Sequence, residues 1–93
     1  MADDRTSDEA KEDYYITEMM EQLGDTDPRS RHTYRKILRT LGTRLALRLV
    51  GNTRDAFTDG VIQQQRMAPY FMGMVKKVAA QEGIDLPFRS RHT

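Results

Sequence analysis

Apolar residues recur along most of the chain at the three- and four-residue spacing of helices. In residues 12–23 they form one stripe, while acidic residues fill many of the other positions. No segment alternates convincingly with the two-residue period of a strand. The apolar positions of the expected helices are Tyr15, Ile16, Met19, Met20, Leu23, Tyr34, Ile37, Leu38, Leu41, Leu45, Leu49, Phe71, Met74 or Val75, and Val78. The pattern predicts an all-α fold, a compact bundle of four or five short helices.

Helix-breaking residues set the expected boundaries in the first half of the chain. Gly24 is placed to end the first helix. Asp27 followed by Pro28 is the pattern of an N-cap and a first helical residue, so a second helix should begin there. That helix should run to Gly42, after which Thr43 is expected to cap a third helix.

The second half is expected to hold shorter elements. Gly51 and Asn52 predict the end of the third helix, leaving one or two separate turns in residues 53–59. Residues 60–67 fit either a short extended piece or the start of a long helix. Pro69 predicts the start of the last helix, which should end near Gly83.

Composition divides the chain into three parts. Residues 1–12 are rich in charge and poor in apolar side chains, so we expect a disordered acidic arm. Residues 13–84 carry the helical pattern and form the single domain that 93 residues allow. Residues 85–93 include Pro87 and several polar and basic residues, and are expected to be a flexible basic tail.

Cysteine content and hydropathy indicate the cellular compartment in which the protein is expected. The chain has no cysteine, which excludes disulfides and thiol chemistry. Its first residues are acidic rather than apolar, and no run of about 18 apolar residues occurs. We therefore expect a soluble intracellular protein without a membrane contact, cytoplasmic or, in a eukaryote, nuclear.

Charge is distributed very unevenly. Residues 1–27 contain ten acidic and two basic residues, whereas residues 28–93 contain thirteen basic and four acidic residues. Eleven of the fifteen bases are arginine, whose planar guanidinium binds phosphate through two parallel hydrogen bonds. This separation predicts a polyanionic partner for the basic part. It also predicts an acidic segment that can cover that part when the partner is absent.

The bases fall into three groups on the predicted helices. On the second helix they recur every four residues, where like charges repel, and no acid lies between Asp27 and Asp55 to relieve this. We predict that the bases hold the phosphates of a polyanion, and Tyr70 is a candidate for stacking on a nucleobase. The alternative is that the arginine stems only cover apolar edges of the core. The candidate residues for this binding are Arg31, Arg35, Arg39, Arg44, Arg48, Arg66, Lys76, Lys77 and Tyr70.

Two other aromatic residues lie near these bases in sequence. They are Tyr34 and Phe88. Tyr34, like Tyr70, is also expected at an edge of the core, where a ring is less free to stack.

No pattern typical of an enzyme, a metal site or a cofactor site occurs. His32 and His92 are sixty positions apart and have no other ligand residue of the His or Cys type at a suitable spacing. Glycine-rich phosphate loops and nucleophile motifs are absent. We therefore expect no catalytic residue, no metal, no cofactor and no small-molecule substrate.

The pentapeptide Arg-Ser-Arg-His-Thr occurs twice, at residues 29–33 and 89–93. The first copy opens the predicted second helix, which fixes the direction of its arginines. The second copy lies in the tail, where ordering a flexible arginine costs additional conformational entropy. We therefore predict that the first copy contributes more to binding than the second.

The segment YRKILRTLGTRLALRLVGNTRDAFTDG resembles the RNA-binding domain of the phosphorylated adaptor for RNA export. That family has a helix ending in Leu-Gly, an Ala-Leu-rich helix, and then a threonine and an acidic loop. It continues with basic residues, a Thr-Pro-Gly-Gly turn and an aromatic helix ending in lysine, to which residues 66–71 and 74–76 are similar. The matching residues are Leu41-Gly42, Ala46-Leu47, Leu49, Thr53 and Asp59-Gly60.

The resemblance covers about residues 15–77. It implies an all-helical, stand-alone module that binds single-stranded RNA with little sequence preference, and not a complete export factor. Ala68-Pro69 stands where the family has Gly-Gly. The turn is therefore expected to approach a nucleic-acid backbone less closely than in the family.

Two other functions remain open from the sequence. A protein-interaction or dimerisation module would pair the acidic part of one chain with the basic face of another. A helix-turn-helix DNA binder would use the break at Gly42. Residues 44–48 do not favour it, because they carry no Asn, Gln or Ser to read base edges.

Overall fold

Four α-helices build the protein. The structure, a computed structural model, describes the backbone of residues 4–86 and the side chains of residues 9–86. Within that range the helices are α1 (Asp4–Leu23), α2 (Ser30–Leu41), α3 (Thr43–Thr58) and α4 (Met67–Glu82), with a single 3-10 turn, Gln64–Arg66, leading into α4. The described residues form no strand. The predicted all-α bundle is confirmed, and none of its described helices is both long and apolar enough to cross a membrane.

One apolar core holds the helices together. Helix α1 packs against α2 and α3, and α3 packs against α4. The rings of Tyr34 on α2 and Phe71 on α4 meet at a centroid distance of 6.0 Å. Burying each large apolar side chain contributes roughly 1.5–3 kcal/mol. The core side chains are Ile16, Met19, Met20, Leu23, Tyr34, Ile37, Leu38, Ala46, Leu49, Val50, Met67, Phe71 and Val75.

Helix α1 begins eight residues earlier than the apolar pattern predicts. Residues 1–12 were expected to be disordered, but the backbone is helical from Asp4 onward. Low apolar content indicates a segment with little to bury, whereas helix formation also depends on backbone propensity. Residues 8–12 include Glu, Ala and Lys, which favour helices.

Helix α3 is continuous through the predicted break. Gly51 and Asn52 lie inside it, so the separate turns expected over residues 53–59 do not form. The buried face runs on past the glycine through Thr53 and Ala56. The hydroxyl of Thr53 donates to the backbone oxygen of Leu49 at 2.9 Å, which satisfies it in the core. Packing of this face outweighs the roughly 1 kcal/mol by which glycine disfavours a helix.

The boundaries at the start of α2 and α3 differ in detail from the predicted caps. Asp27 does accept the backbone N–H of Arg29 at 3.0 Å, but Pro28 lies in a turn, and the helix begins at Ser30. Thr43 is the first residue of α3 rather than its cap, because Gly42 occupies the N-cap position with φ 88°. A side chain at that φ would be strained, so glycine permits the sharp bend between the two helices.

Helix α4 begins before its proline. Met67 is the first residue, so Pro69 lies within the first turn, where a missing N–H removes no intrahelical bond. Gly83 ends the helix in the left-handed conformation with φ 68°, as the sequence predicts. Leu86 then packs against the core. The second Arg-Ser-Arg-His-Thr copy and Phe88 lie outside the described residues.

Candidate functional site

All three predicted arginines on α2 form ion pairs with α1, and the longest joins Nη2 of Arg31 to Oδ1 of Asp13 at 3.6 Å. Glu12 accepts two hydrogen bonds from Arg39, from Nε at 2.8 Å and from Nη2 at 3.0 Å. Nη2 of Arg35 donates to Oδ1 of Asp13 at 2.7 Å. The Nε of Arg35 lies 3.2 Å from Oε1 of Glu12 in an ion pair. The hydrogen bonds and the charge of Glu12 raise the pKa of Arg39. Helix α1 thus covers this part of the stripe.

Arg31 completes the contact one turn earlier. Its Nη1 donates to the hydroxyl of Thr17 at 3.1 Å, and its Nη2 donates to the backbone oxygen of Asp13 at 3.4 Å. The side chains of Arg31 and Arg35 are each 36% exposed, and that of Arg39 is 65% exposed. Ion pairs this accessible to water are weak and are screened by salt. A competing phosphate can therefore displace the carboxylates.

The bases on α3 have a different environment. Arg44 and Arg48 are exposed and lie one turn apart on the helix. Neither side chain makes a hydrogen bond or an ion pair with another residue in the part of the chain that the structure describes. Both guanidinium groups are available to an external anion.

The exposed side of α4 carries the remaining predicted residues. Tyr70, Gly73 and Lys77 follow one another at the spacing of successive turns and so share one face. Arg66 lies one turn before Tyr70, at the end of the 3-10 turn. Lys76 is exposed at the neighbouring position. The structure thus brings an aromatic ring and several bases to one helix face.

A groove lies at the start of this face. It has a volume of about 540 Å³ and is lined by Val61, Ile62, Gln63, Arg66, Pro69 and Tyr70. Val61 is 69% exposed, and Tyr70 is 37% exposed. Sequence reasoning identified Arg66 and Tyr70 but not Val61 or Gln63, because residues 60–66 carry no periodic pattern.

No neighbouring side chain among the described residues requires a glycine at position 73. A Cβ built at this position would meet no atom within 4 Å, and the residue has a normal helical backbone. Glycine inside a helix costs roughly 0.5–1 kcal/mol relative to alanine. A glycine that no internal contact requires, on a face with Tyr70 and Lys77, leaves room for a ligand to approach the helix backbone closely.

Other polar groups serve the fold. Tyr34 is buried, as expected for a core edge, and its hydroxyl donates to Oδ2 of Asp25 at 3.0 Å. Burial raises the pKa of Tyr34, and the charge of Asp25 acts in the same direction. His32 is exposed. No group of three potential metal ligands occurs among the described residues.

No family model, curated protein sequence or solved structure matches this chain. The resemblance to the RNA-binding domain of the phosphorylated adaptor for RNA export therefore stays a prediction.

Proposed function

We propose that this protein binds single-stranded RNA through the exposed face of α4 and the groove at its start. One observation carries the proposal: Arg66, Tyr70 and Lys77 follow one another along an exposed face, and no carboxylate of the described residues lines the adjoining groove. Proteins that bind single strands combine bases along the backbone path with aromatic rings on which nucleobases stack.

The basic residues supply the phosphate contacts. Arg66 offers a guanidinium fork and Lys77 a mobile ammonium, separated by about three helical turns. Arg44 and Arg48 add two exposed guanidinium groups without internal partners among the described residues. Such contacts depend on charge rather than on base identity, so they favour binding with little sequence preference.

The tyrosine favours a single strand over a duplex. Tyr70 lies on a helix face beside an open groove, where its ring can stack only on a base that is not already stacked in a duplex. The bases Arg66 and Lys77 would hold the strand on either side of it. An RNA with unpaired bases therefore satisfies both kinds of contact at once.

The arginines of α2 have a conditional role in this proposal. Arg35 and Arg39 are held by Glu12 and Asp13, so RNA gains their contacts only by displacing carboxylates. The phosphates of a bound strand would compete best at low ionic strength, where attraction extends furthest. The α2 stripe is then a secondary surface, and the α4 face is the primary one.

The dimerisation alternative has less support. It requires the acids of one chain to pair with the bases of another, but Glu12 and Asp13 already pair with arginines of the same chain. It remains an outcome of the test below.

The proposal is tested by measuring the affinity for three nucleic acids of equal length at two salt concentrations. We expect unstructured RNA of about 20 nucleotides, longer than most single-module sites, to bind more tightly than duplex RNA or duplex DNA. Preference for duplex DNA would favour the helix-turn-helix hypothesis. A salt-dependent dimer that binds none of the three would favour the interaction module.

A further inference from the structure

We propose that the groove beside Tyr70 is a seat for one unpaired nucleobase, held between the tyrosine ring and Val61. This inference rests on the proposed RNA binding and names the part of the RNA that the groove takes. Three large apolar side chains are exposed among the described residues, and two of them, Val61 and Tyr70, line this groove. These two side chains thus lie together in one groove, where a single ligand can contact both.

The backbone around Val61 is fixed, which makes the groove a formed feature. The N–H of Val61 donates to the backbone oxygen of Ala56 at 2.8 Å, and Gly60 allows the turn with φ 80°. Ile62 packs against the core, and Arg66 N–H donates to the backbone oxygen of Gln63 at 2.9 Å. Val61 is therefore held out in water by a structured turn.

The polar groups of the groove suit a nucleotide. Arg66 supplies a positive charge beside the ring, within reach of the phosphate that belongs to the same nucleotide as the bound base. The carboxamide oxygen of Gln63 accepts from Gln65 at 3.1 Å, which leaves the amide N–H groups of Gln63 to donate. Within the described part of the chain, no carboxylate lines the groove to repel a phosphate. The positive charge favours an anionic ligand over an uncharged apolar side chain, and the tyrosine ring favours a ligand with an aromatic base over an acidic side chain.

The size and shape of the groove imply tolerance for different bases. Its volume of about 540 Å³ lies within the range of roughly 300–1,000 Å³ typical of small-ligand sites. A stacking ring contacts the face of any base, and only Gln63 among the lining side chains is an amide that can bond a base edge. The seat therefore contributes affinity with little sequence selection.

The test compares an oligoadenylate with the same strand carrying abasic sites, using wild-type protein and Tyr70→Leu. Leucine keeps apolar volume but removes the aromatic face. We expect wild-type protein to bind the intact strand more tightly than the abasic strand. Tyr70→Leu should weaken binding to the intact strand by about 5- to 150-fold and bind the two strands equally. Tyr70→Phe should retain the preference, because the ring remains.

Tyr14→Leu is the matched control. Tyr14 is 61% exposed on α1, so its substitution removes a ring that is more accessible than that of Tyr70 and lies away from the groove. It should bind both strands as wild-type protein does. RNA binding that is unchanged by Tyr70→Leu, or wild-type protein that does not distinguish the strands, overturns the base seat while leaving RNA binding intact. Wild-type protein that binds neither strand overturns the proposed function itself. The wild-type comparison of the two strands decides the question even if Tyr70→Leu does not fold.

Discussion

Glu12 on α1 holds Arg39 on α2 through two nearly parallel hydrogen bonds, at 2.8 and 3.0 Å. An arginine binds a phosphate in the same bidentate way. The carboxylate therefore occupies the place that a phosphate of RNA would take on this side chain. Asp13 has the same relation to Arg35 through a single bond of 2.7 Å. The acidic segment covers part of the basic surface as a helix of the domain.

Neutralising these carboxylates should strengthen RNA binding. In Glu12→Gln with Asp13→Asn, the arginines of α2 lose their charged partners and become available to phosphates. We expect the affinity for single-stranded RNA to rise roughly two- to fivefold at low ionic strength, and less at high salt. The measurement is a titration with labelled RNA at two salt concentrations.

The matched control is Glu18→Gln with Glu21→Gln on the same helix. These acids make no ion pair with an arginine among the described residues, although Glu18 accepts a hydrogen bond from Gln22. The change in net charge is identical. If this variant gains as much affinity as the first, general charge rather than release of the α2 arginines is responsible.

Replacing either of the two glycines inside helices by alanine should change the stability alike, but the RNA affinity differently. Gly51→Ala and Gly73→Ala each add a Cβ that meets no atom within 4 Å. Each should stabilise the fold by about 0.5–1 kcal/mol, because alanine loses less conformational freedom in a helix. The midpoint temperature of thermal unfolding should rise by about 2–8 °C for a domain of this size.

Only Gly73→Ala should weaken RNA binding, because it narrows the approach to the α4 backbone between Tyr70 and Lys77. Gly51→Ala serves as the control of equal chemistry on α3. An alanine at position 73 that leaves RNA affinity at the wild-type level would remove the argument from backbone approach.

The buried phenol of Tyr34 should make the fold sensitive to alkali. Burial, with the charge of Asp25, raises its pKa above the ordinary value of 10.0. The folded protein thus holds the phenolic proton more tightly than the unfolded chain does. This stability is complete below the ordinary pKa and is lost as the pH rises above it.

Tyr34→Phe should therefore lower stability near neutral pH, since a hydrogen bond to Asp25 is lost, but should flatten the decline above about pH 10. Chemical denaturation of both proteins over that range measures the effect. If the free energy of unfolding of the two proteins falls in parallel with pH, ionisation of Tyr34 is not linked to folding.

The helices were predictable from sequence because their apolar stripes are long and periodic. The early start of α1 was not, since low apolar content signals little burial but does not oppose a helix. Nor was the continuity of α3, because Gly51 is a local breaking signal. Packing of the buried face around Thr53 against the other helices overrides that local signal.

The candidate site was predictable only in part. Four-residue spacing placed Arg31, Arg35 and Arg39 on one face, and the sign separation indicated acids that could cover it. Which acids do so depends on how α1 docks, and that docking is set by the packing of the whole core. Val61 lies in a turn whose sequence has no periodicity, so only the structure shows that this residue lines the groove.

The most direct measurement of the central claim is the salt dependence of RNA affinity for wild-type protein and Arg66→Ala with Lys77→Ala. Each phosphate contact on a single strand contributes a log–log slope of about −0.7. With about five contacts we expect a wild-type slope of roughly −3 to −4. The double variant should bind more weakly and lose about 1.4 of that slope, two contacts at 0.7 each. The control, Lys36→Ala with Arg54→Ala, removes the same charge from outside the proposed face. It should retain most of the affinity and slope. Equal losses in the two variants, or no measurable RNA binding by wild-type protein at low salt, would contradict the proposal that the α4 face binds RNA.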